Sequence, residues 1–170
     1  MAKPRKIKHL RPGMPVSAAA VRVLRARIKE FYSHWPDPEQ TPEAVQLHNL
    51  RISGKRLRYS AENLRELYPG RLSFLIDLLK RGQDSLGEMQ DCETQRTVIE
   101  TEIARVARRN AAHPELPALQ ALVAEYRERQ AVLLAQFREI WHAMALPEVQ
   151  ASLLAMTARP RTGAPPVSRD

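Results

Sequence analysis

The stretch Leu47-His-Asn-Leu-Arg-Ile-Ser-Gly-Lys-Arg-Leu-Arg-Tyr-Ser-Ala-Glu62 decides the fold class. Leu47, Leu50, Leu57 and Ala61, continued by Leu64, recur at intervals of three, four and seven. At about 100° per residue they gather roughly 160° to 260° round from His48, on one side of an α-helix. His48, Arg51, Lys55 and Arg58 stand at i, i+3, i+7 and i+10, within about 80° of one another, so four basic side chains flank the buried face as a row. Thr41 reads as an N-cap here, with Pro42 in the first helical position and Glu43 in the first turn. Pro69-Gly70 supplies the stop, so the pattern predicts a rod from Pro42 to about Tyr68, some 39 Å long.

Outward from this helix the same period continues. Residues 1–16 hold three prolines and no helical repeat, a flexible basic arm. Ser17 is placed to cap a helix through about His34, and Pro36, Pro38 and Pro42 punctuate the loop that follows. A third helix is expected over about Leu72–Leu86, and either Gly87 ends it and Asp91 caps a fourth to Asn110, or one helix covers both. A turn around Asn110–Pro117 precedes a long helix over about Ala118–Ala145, and Pro147 opens a last short one over Val149–Met156. Residues 159–170, rich in Pro, Gly, Ser and Arg, read as a disordered tail, which leaves residues 17–158 as one helical domain. Nothing alternates with strand period. An all-α bundle of about four to six helices is expected.

Composition narrows the function. The 170 residues, 44% apolar and 27% charged, suit a soluble globular chain, and 5% aromatic content argues against a β-sandwich. Net charge is +8, and it is segregated: residues 1–65 hold 14 Lys/Arg against 5 Asp/Glu, the rest 13 against 14. A field confined to one part of the chain serves attraction of an anion rather than solubility. Cys92 stands alone, so an internal disulfide or Cys-rich metal site is excluded. No apolar run approaches a membrane span of roughly 20 residues, no signal-peptide core follows the basic start, and a cytoplasmic location is expected.

Cations at neighbouring turns repel, and a linear anion laid along the row relieves that repulsion while accepting charge-assisted hydrogen bonds. Arg22, Arg25 and Lys29 repeat the i, i+3, i+7 spacing on the first helix, so the two rows are expected to line the walls of one channel if those helices pair antiparallel. Tyr59 is positioned to cover the ligand or to pack in the core, and Glu62 to orient Arg58 and Lys55 as a supporting ion pair. Gly54, in mid-helix, costs about 1 kcal/mol relative to Ala and marks a close approach. Lys80 and Arg81 are expected in solvent. A Walker loop, a nucleophile elbow and paired metal-binding histidines are all absent, and Glu139-x-x-His142 is a single copy of a pattern that di-iron bundles need twice. Catalysis is not supported, and neither a cofactor nor a metal is expected.

The 47–62 stretch resembles the signature of the CHAD family, the conserved histidine α-helical domain. Leu79-Lys-Arg-Gly-Gln-Asp-Ser-Leu-Gly-Glu-Met-Gln-Asp91, about 25 residues on, is similar to that family's second motif, Leu-Gln-x-x-Leu-Gly-x-x-x-Asp. The resemblance implies a helical bundle whose basic, His-bearing face binds inorganic polyphosphate, often at polyphosphate granules, with His48, Arg51, Lys55 and Arg58 as contacts. Arg22, Arg25 and Lys29 are added on spacing alone. The family usually carries two pseudo-repeated halves, each with a His-x-x-Arg helix, and this chain has one, so the expectation is either a two-fold homodimer that rebuilds the basic cavity or a short single-half variant that binds weakly alone. Two other readings stand beside the binding module. One is an RNA- or DNA-binding helical protein, which the scarcity of aromatic and amide side chains in the rows disfavours. The other is an accessory module of a phosphate-processing enzyme; the Glu-x-Glu-x-Lys motif of a triphosphatase fails at Ala104.

Overall fold

The computed structural model describes residues 3–34, 42–158 and 160, and among these the regular structure is five α-helices and one 3₁₀ turn, with no strand. They are α1 (Val16–Tyr32), α2 (Ala44–Asn63), the 3₁₀ turn (Arg65–Leu67), α3 (Ser73–Arg109), α4 (Leu116–Ala145) and α5 (Pro147–Thr157). The expected Thr41 cap, most of the proline loop and the tail lie outside the described residues, apart from Pro42 and Pro160.

The boundaries depart from the sequence reading for local reasons. Ser17 is not the cap of α1: the Pro15 carbonyl accepts the Ala19 N–H at 3.0 Å and closes the first turn two residues earlier than expected. α2 starts at Ala44 rather than Pro42 because Glu43 caps it reciprocally with Gln46, whose side chain accepts the Glu43 N–H at 2.8 Å. It ends at Asn63, not Tyr68, so the rod has 20 residues instead of 26 and is about 30 Å long. Past Leu64 the chain tightens into the 3₁₀ turn, which lets Tyr68 bury its ring and donate its hydroxyl to the Thr157 carbonyl at 2.9 Å. Gly70 takes a φ of +70°, a left-handed turn that reverses the chain into α3. The choice left open over residues 72–110 resolves to one helix that continues through Gly87.

Two compact units divide the chain, and α3 and α4 each contribute to both. The first comprises residues 1–83 and 140–170. Here α1 packs against α2 and α5. Leu24, Ile28, Leu50, Leu57, Leu72 and Leu75 are essentially sealed from solvent. Phe31, Tyr32 and Trp141 stack edge-on or tilted with ring centroids 5.5 to 6.0 Å apart, and the Tyr32 hydroxyl donates to the Met144 carbonyl at 2.8 Å. The second unit, residues 84–139, is an antiparallel hairpin of α3 and α4 around Met89, Cys92, Val123 and Leu133. Polar clasps join its helices, with Arg129 to Glu88 at 3.0 Å, Gln130 to Glu93 at 3.0 Å and Arg127 to Glu100 at 2.8 Å. Among the described residues, no helix is long and apolar enough to cross a membrane.

Candidate functional site

Four arginines of the hairpin unit are paired with carboxylates. Arg96 is held by Glu93 and Glu100, Arg105 by Glu102, and Arg127 and Arg129 by carboxylates of the facing helix. The first unit differs. Among the described residues, His48, Arg51 and Lys55 have no carboxylate within ion-pair distance, nor have Arg22, Arg25 and Lys29. Two rows of cations with no carboxylate at ion-pair distance thus stand on α1 and α2.

Along α2, His48, Arg51, Lys55 and Arg58 are all half-buried, their stems against the helix pair. Arg58 reaches Glu62 at 3.4 Å, long for a charge-assisted bond, and its guanidinium carbon lies 4.6 Å from the centre of the Tyr59 ring. Tyr59 is 49% exposed, so the core-packing alternative for it does not hold. Its ring continues the row one turn beyond Lys55, and Glu62 pairs with Arg58 alone, not with Lys55. Gly54 makes the close approach anticipated for it: a Cβ there would stand 3.3 Å from the Phe31 ring and 3.6 Å from the Gln83 amide nitrogen.

α1 meets α2 through Phe31, against Gly54, and through Glu30, whose carboxylate accepts from Arg56 at 2.7 Å. Phe31 lies about 150° and Glu30 about 110° round α1 from the midline of Arg22, Arg25 and Lys29. The α1 row is exposed on the side turned away from α2. The shared channel between the two rows is thus not formed: the cations at i, i+3 and i+7 follow solvent, while the pairing of the helices is set by their apolar faces.

Sequence reasoning missed the polar centre of this unit. Glu30, only 2% exposed, accepts hydrogen bonds from Arg27 and Arg56 and a backbone hydrogen bond from Arg5, and Arg27 also donates to the Arg5 carbonyl at 3.3 Å. Burial pushes the Glu30 carboxyl up, yet these bonds outweigh it and hold the group below its ordinary value. The available signal was that Glu30 is the only acid in the first 36 residues and follows Arg27 by three. Gln83 was also missed, although it stands in the second motif. Lys80 and Arg81 are exposed as expected. Lys80 borders a cavity of about 350 Å³ with Arg65, Tyr68, Leu72, Ile76 and Asp77; it holds both signs of charge and none of the row residues. No group of three His, Cys, Asp or Glu side chains suited to a metal ion occurs among the described residues.

No curated protein and no solved structure matches the chain. The CHAD domain model matches residues 2–100, a span that takes in α1, the basic row of α2 and the second motif on α3. More than half of the chain is covered, its fold is all-α as that family requires, and this protein belongs to the CHAD domain family.

Proposed function

We propose that this chain binds inorganic polyphosphate along α2 without turning it over. CHAD domains as a family bind polyphosphate. The observation that carries the reading for this chain is the state of the row: Arg51, Lys55 and His48 stand on successive turns, half-buried, with no internal counter-charge among the described residues. Arg51 and Arg58 offer planar forks to phosphoryl oxygens, Lys55 a point charge, and His48 a ring N–H donor. Arg22, Arg25 and Lys29, on the outer side of α1, act as a peripheral field that attracts the polymer. Tyr59 and Glu62 hold Arg58 against the helix.

Two chains pair to complete the basic cavity, since the chain carries one His-x-x-Arg helix, and the complex sits at polyphosphate granules. Nucleic acid is the weaker partner: Tyr59 is the aromatic ring of the row, and Arg58 takes one of its faces. Titration of the full chain with long-chain polyphosphate, with light scattering on the complex, tests ligand and stoichiometry. Reversal of charge in the Arg51→Glu, Lys55→Glu double variant abolishes binding while helical circular dichroism persists. Unchanged binding in that variant overturns the assignment to α2, and a monomeric complex overturns the pairing.

A further inference from the structure

One face of α3 borders the cavity of about 350 Å³ that the basic row does not reach. Ser73, Ile76, Asp77 and Lys80 line it at i, i+3, i+4 and i+7, so the first two turns of the helix make one wall. The rest of the lining comes from the 3₁₀ turn and the chain after it, with Arg65 and Tyr68. Tyr68 already donates its hydroxyl to the Thr157 carbonyl, so with Leu72 and Ile76 it gives the cavity an apolar floor. Three charged groups border this one space and none of them is paired. Arg65, Asp77 and Lys80 are exposed, and among the described residues none has an opposite charge at ion-pair distance. That holds even though Asp77 and Lys80 share a helix face at i, i+3, a spacing at which such pairs form. The Ser73 hydroxyl also lacks a hydrogen-bond partner among the described residues.

We infer that this cavity binds a small phosphomonoester carrying hydroxyl groups, a ligand of the sugar-phosphate class, at a site separate from the α2 row. Two cations against one carboxylate favour an anion. Arg65 offers a planar fork and Lys80 a point charge to phosphoryl oxygens, and a dianionic phosphoryl group answers both where a carboxylate answers one. Asp77 lies about 6 Å along the helix axis from Ser73 and about 4.5 Å from Lys80, and it accepts a hydrogen bond from the ligand. That donor is neutral: an ammonium group would meet Lys80 one turn on, whereas a sugar hydroxyl reaches Asp77 and Ser73 without repulsion. The volume falls at the lower end of the range for small-molecule sites, which suits a single hexose phosphate over an apolar floor rather than a polymer. None of this depends on polyphosphate binding along α2.

The test is calorimetric titration of the full chain with glucose-6-phosphate, with inorganic phosphate and glucose as comparison probes. Wild type is expected to bind the sugar phosphate saturably and more tightly than either comparison probe. Arg65→Gln and Lys80→Gln are each expected to bind it roughly 10-fold more weakly, as loss of a hydrogen bond to a charged acceptor predicts. Asp77→Ala is expected to hold inorganic phosphate at least as well as wild type and to lose the preference for the sugar phosphate. All three side chains are exposed, so these variants are expected to melt as wild type does. The Arg51→Gln, Lys55→Gln double variant leaves the cavity untouched and is expected to bind the sugar phosphate as wild type does. Failure of wild type to bind the sugar phosphate overturns the inference, and so does equal affinity for inorganic phosphate. Binding that survives the cavity changes but is lost in the double variant overturns it as well, since the anion then sits on the α2 row.

Discussion

Arg56 of α2 reaches across to the Glu30 carboxylate of α1 at 2.7 Å, and the carboxylate it meets is 97% shielded at its side chain. Arg27 closes the other side from one turn earlier on α1. This clamp fixes how the two helices meet, and so fixes which face of α2 is left for the basic row. Replacing Glu30 by Gln removes the carboxylate that Arg27 and Arg56 share. A full break of a buried pair costs about 3–5 kcal/mol; because the Arg27 and Arg56 side chains are 15% and 25% exposed, we expect about 2–3 kcal/mol, read as a fall in the denaturation midpoint.

The same clamp sets a response to acid. The folded-state pKa of Glu30 lies below its unfolded value, so between the two the unfolded chain binds more protons. Its contribution to stability is complete above an unfolded value of about 4.3 and is lost as pH falls through the folded value. Thermal melts of wild type across this acid window are expected to fall more steeply than those of Glu30→Gln. Equal slopes would show that the Glu30 carboxyl binds its proton alike in the folded and unfolded chain, against a lowered folded value.

Gly54 and Gly87 occupy helix interiors for opposite reasons. An Ala Cβ at Gly87 meets nothing within 4 Å, so Gly87→Ala gains helix propensity at no steric cost, and a stabilisation of about 0.5–1 kcal/mol is expected. The same change at Gly54 gains as much propensity but presses at 3.3 Å on a Phe31 ring that Tyr32 and Trp141 hold edge-on. Overpacking of that kind costs about 1–3 kcal/mol, so Gly54→Ala is expected to lower stability by about 1 kcal/mol net. Chemical denaturation of the two variants side by side checks the contrast.

Two phenols tie the C-terminal helices into the first unit, Tyr32 to Met144 and Tyr68 to Thr157. Burial pushes the Tyr32 hydroxyl up to about 12. A raised acid pKa means that the folded state holds its proton more firmly, so this contribution is whole below about pH 10 and declines as pH climbs toward 12. Tyr32→Phe is expected to flatten the alkaline stability curve over that interval. Tyr68→Phe strands a buried carbonyl and is expected to cost about 1 kcal/mol at neutral pH, measured by denaturant titration.

Much of this was legible in the chain because one period governs it. The apolar spacing of Leu50, Leu57 and Ala61 announces α2 and its buried side, and the two motif stretches announce the family. Helix ends were less legible: Glu43 and Gln46 cap each other at a distance that Thr41 and Pro42 obscured, and α2 stops early because a buried Tyr68 needs the chain to leave the helical path. Equal spacing of cations on α1 and α2 suggested one channel, yet spacing fixes only a face within each helix. Which faces meet depends on Glu30, Phe31, Gly54 and Arg56, long-range contacts that no local period encodes.

On the proposed reading, that difference is expected to separate the two basic rows in function. Arg51 and Lys55 are half-buried on α2, and on the proposed reading a bound phosphate chain is expected to exchange hydrogen bonds with them at close range. Arg22, Arg25 and Lys29 are exposed on the far side of α1 and are expected to act through solvent, where each charge is screened over about 8–10 Å. Neutralising Arg51 and Lys55 together by Gln is expected to weaken polyphosphate binding by more than about 30-fold, chiefly through faster dissociation, in line with about 1–2 kcal/mol lost per charge-assisted bond. The triple change Arg22→Gln, Arg25→Gln, Lys29→Gln removes more charge but is expected to lower affinity by at most about 3-fold, chiefly through slower association that salt suppresses in wild type as well. Stopped-flow binding at two ionic strengths distinguishes them. If the triple variant instead raises the dissociation rate as strongly as the double one, the polymer contacts both rows directly and wraps α1.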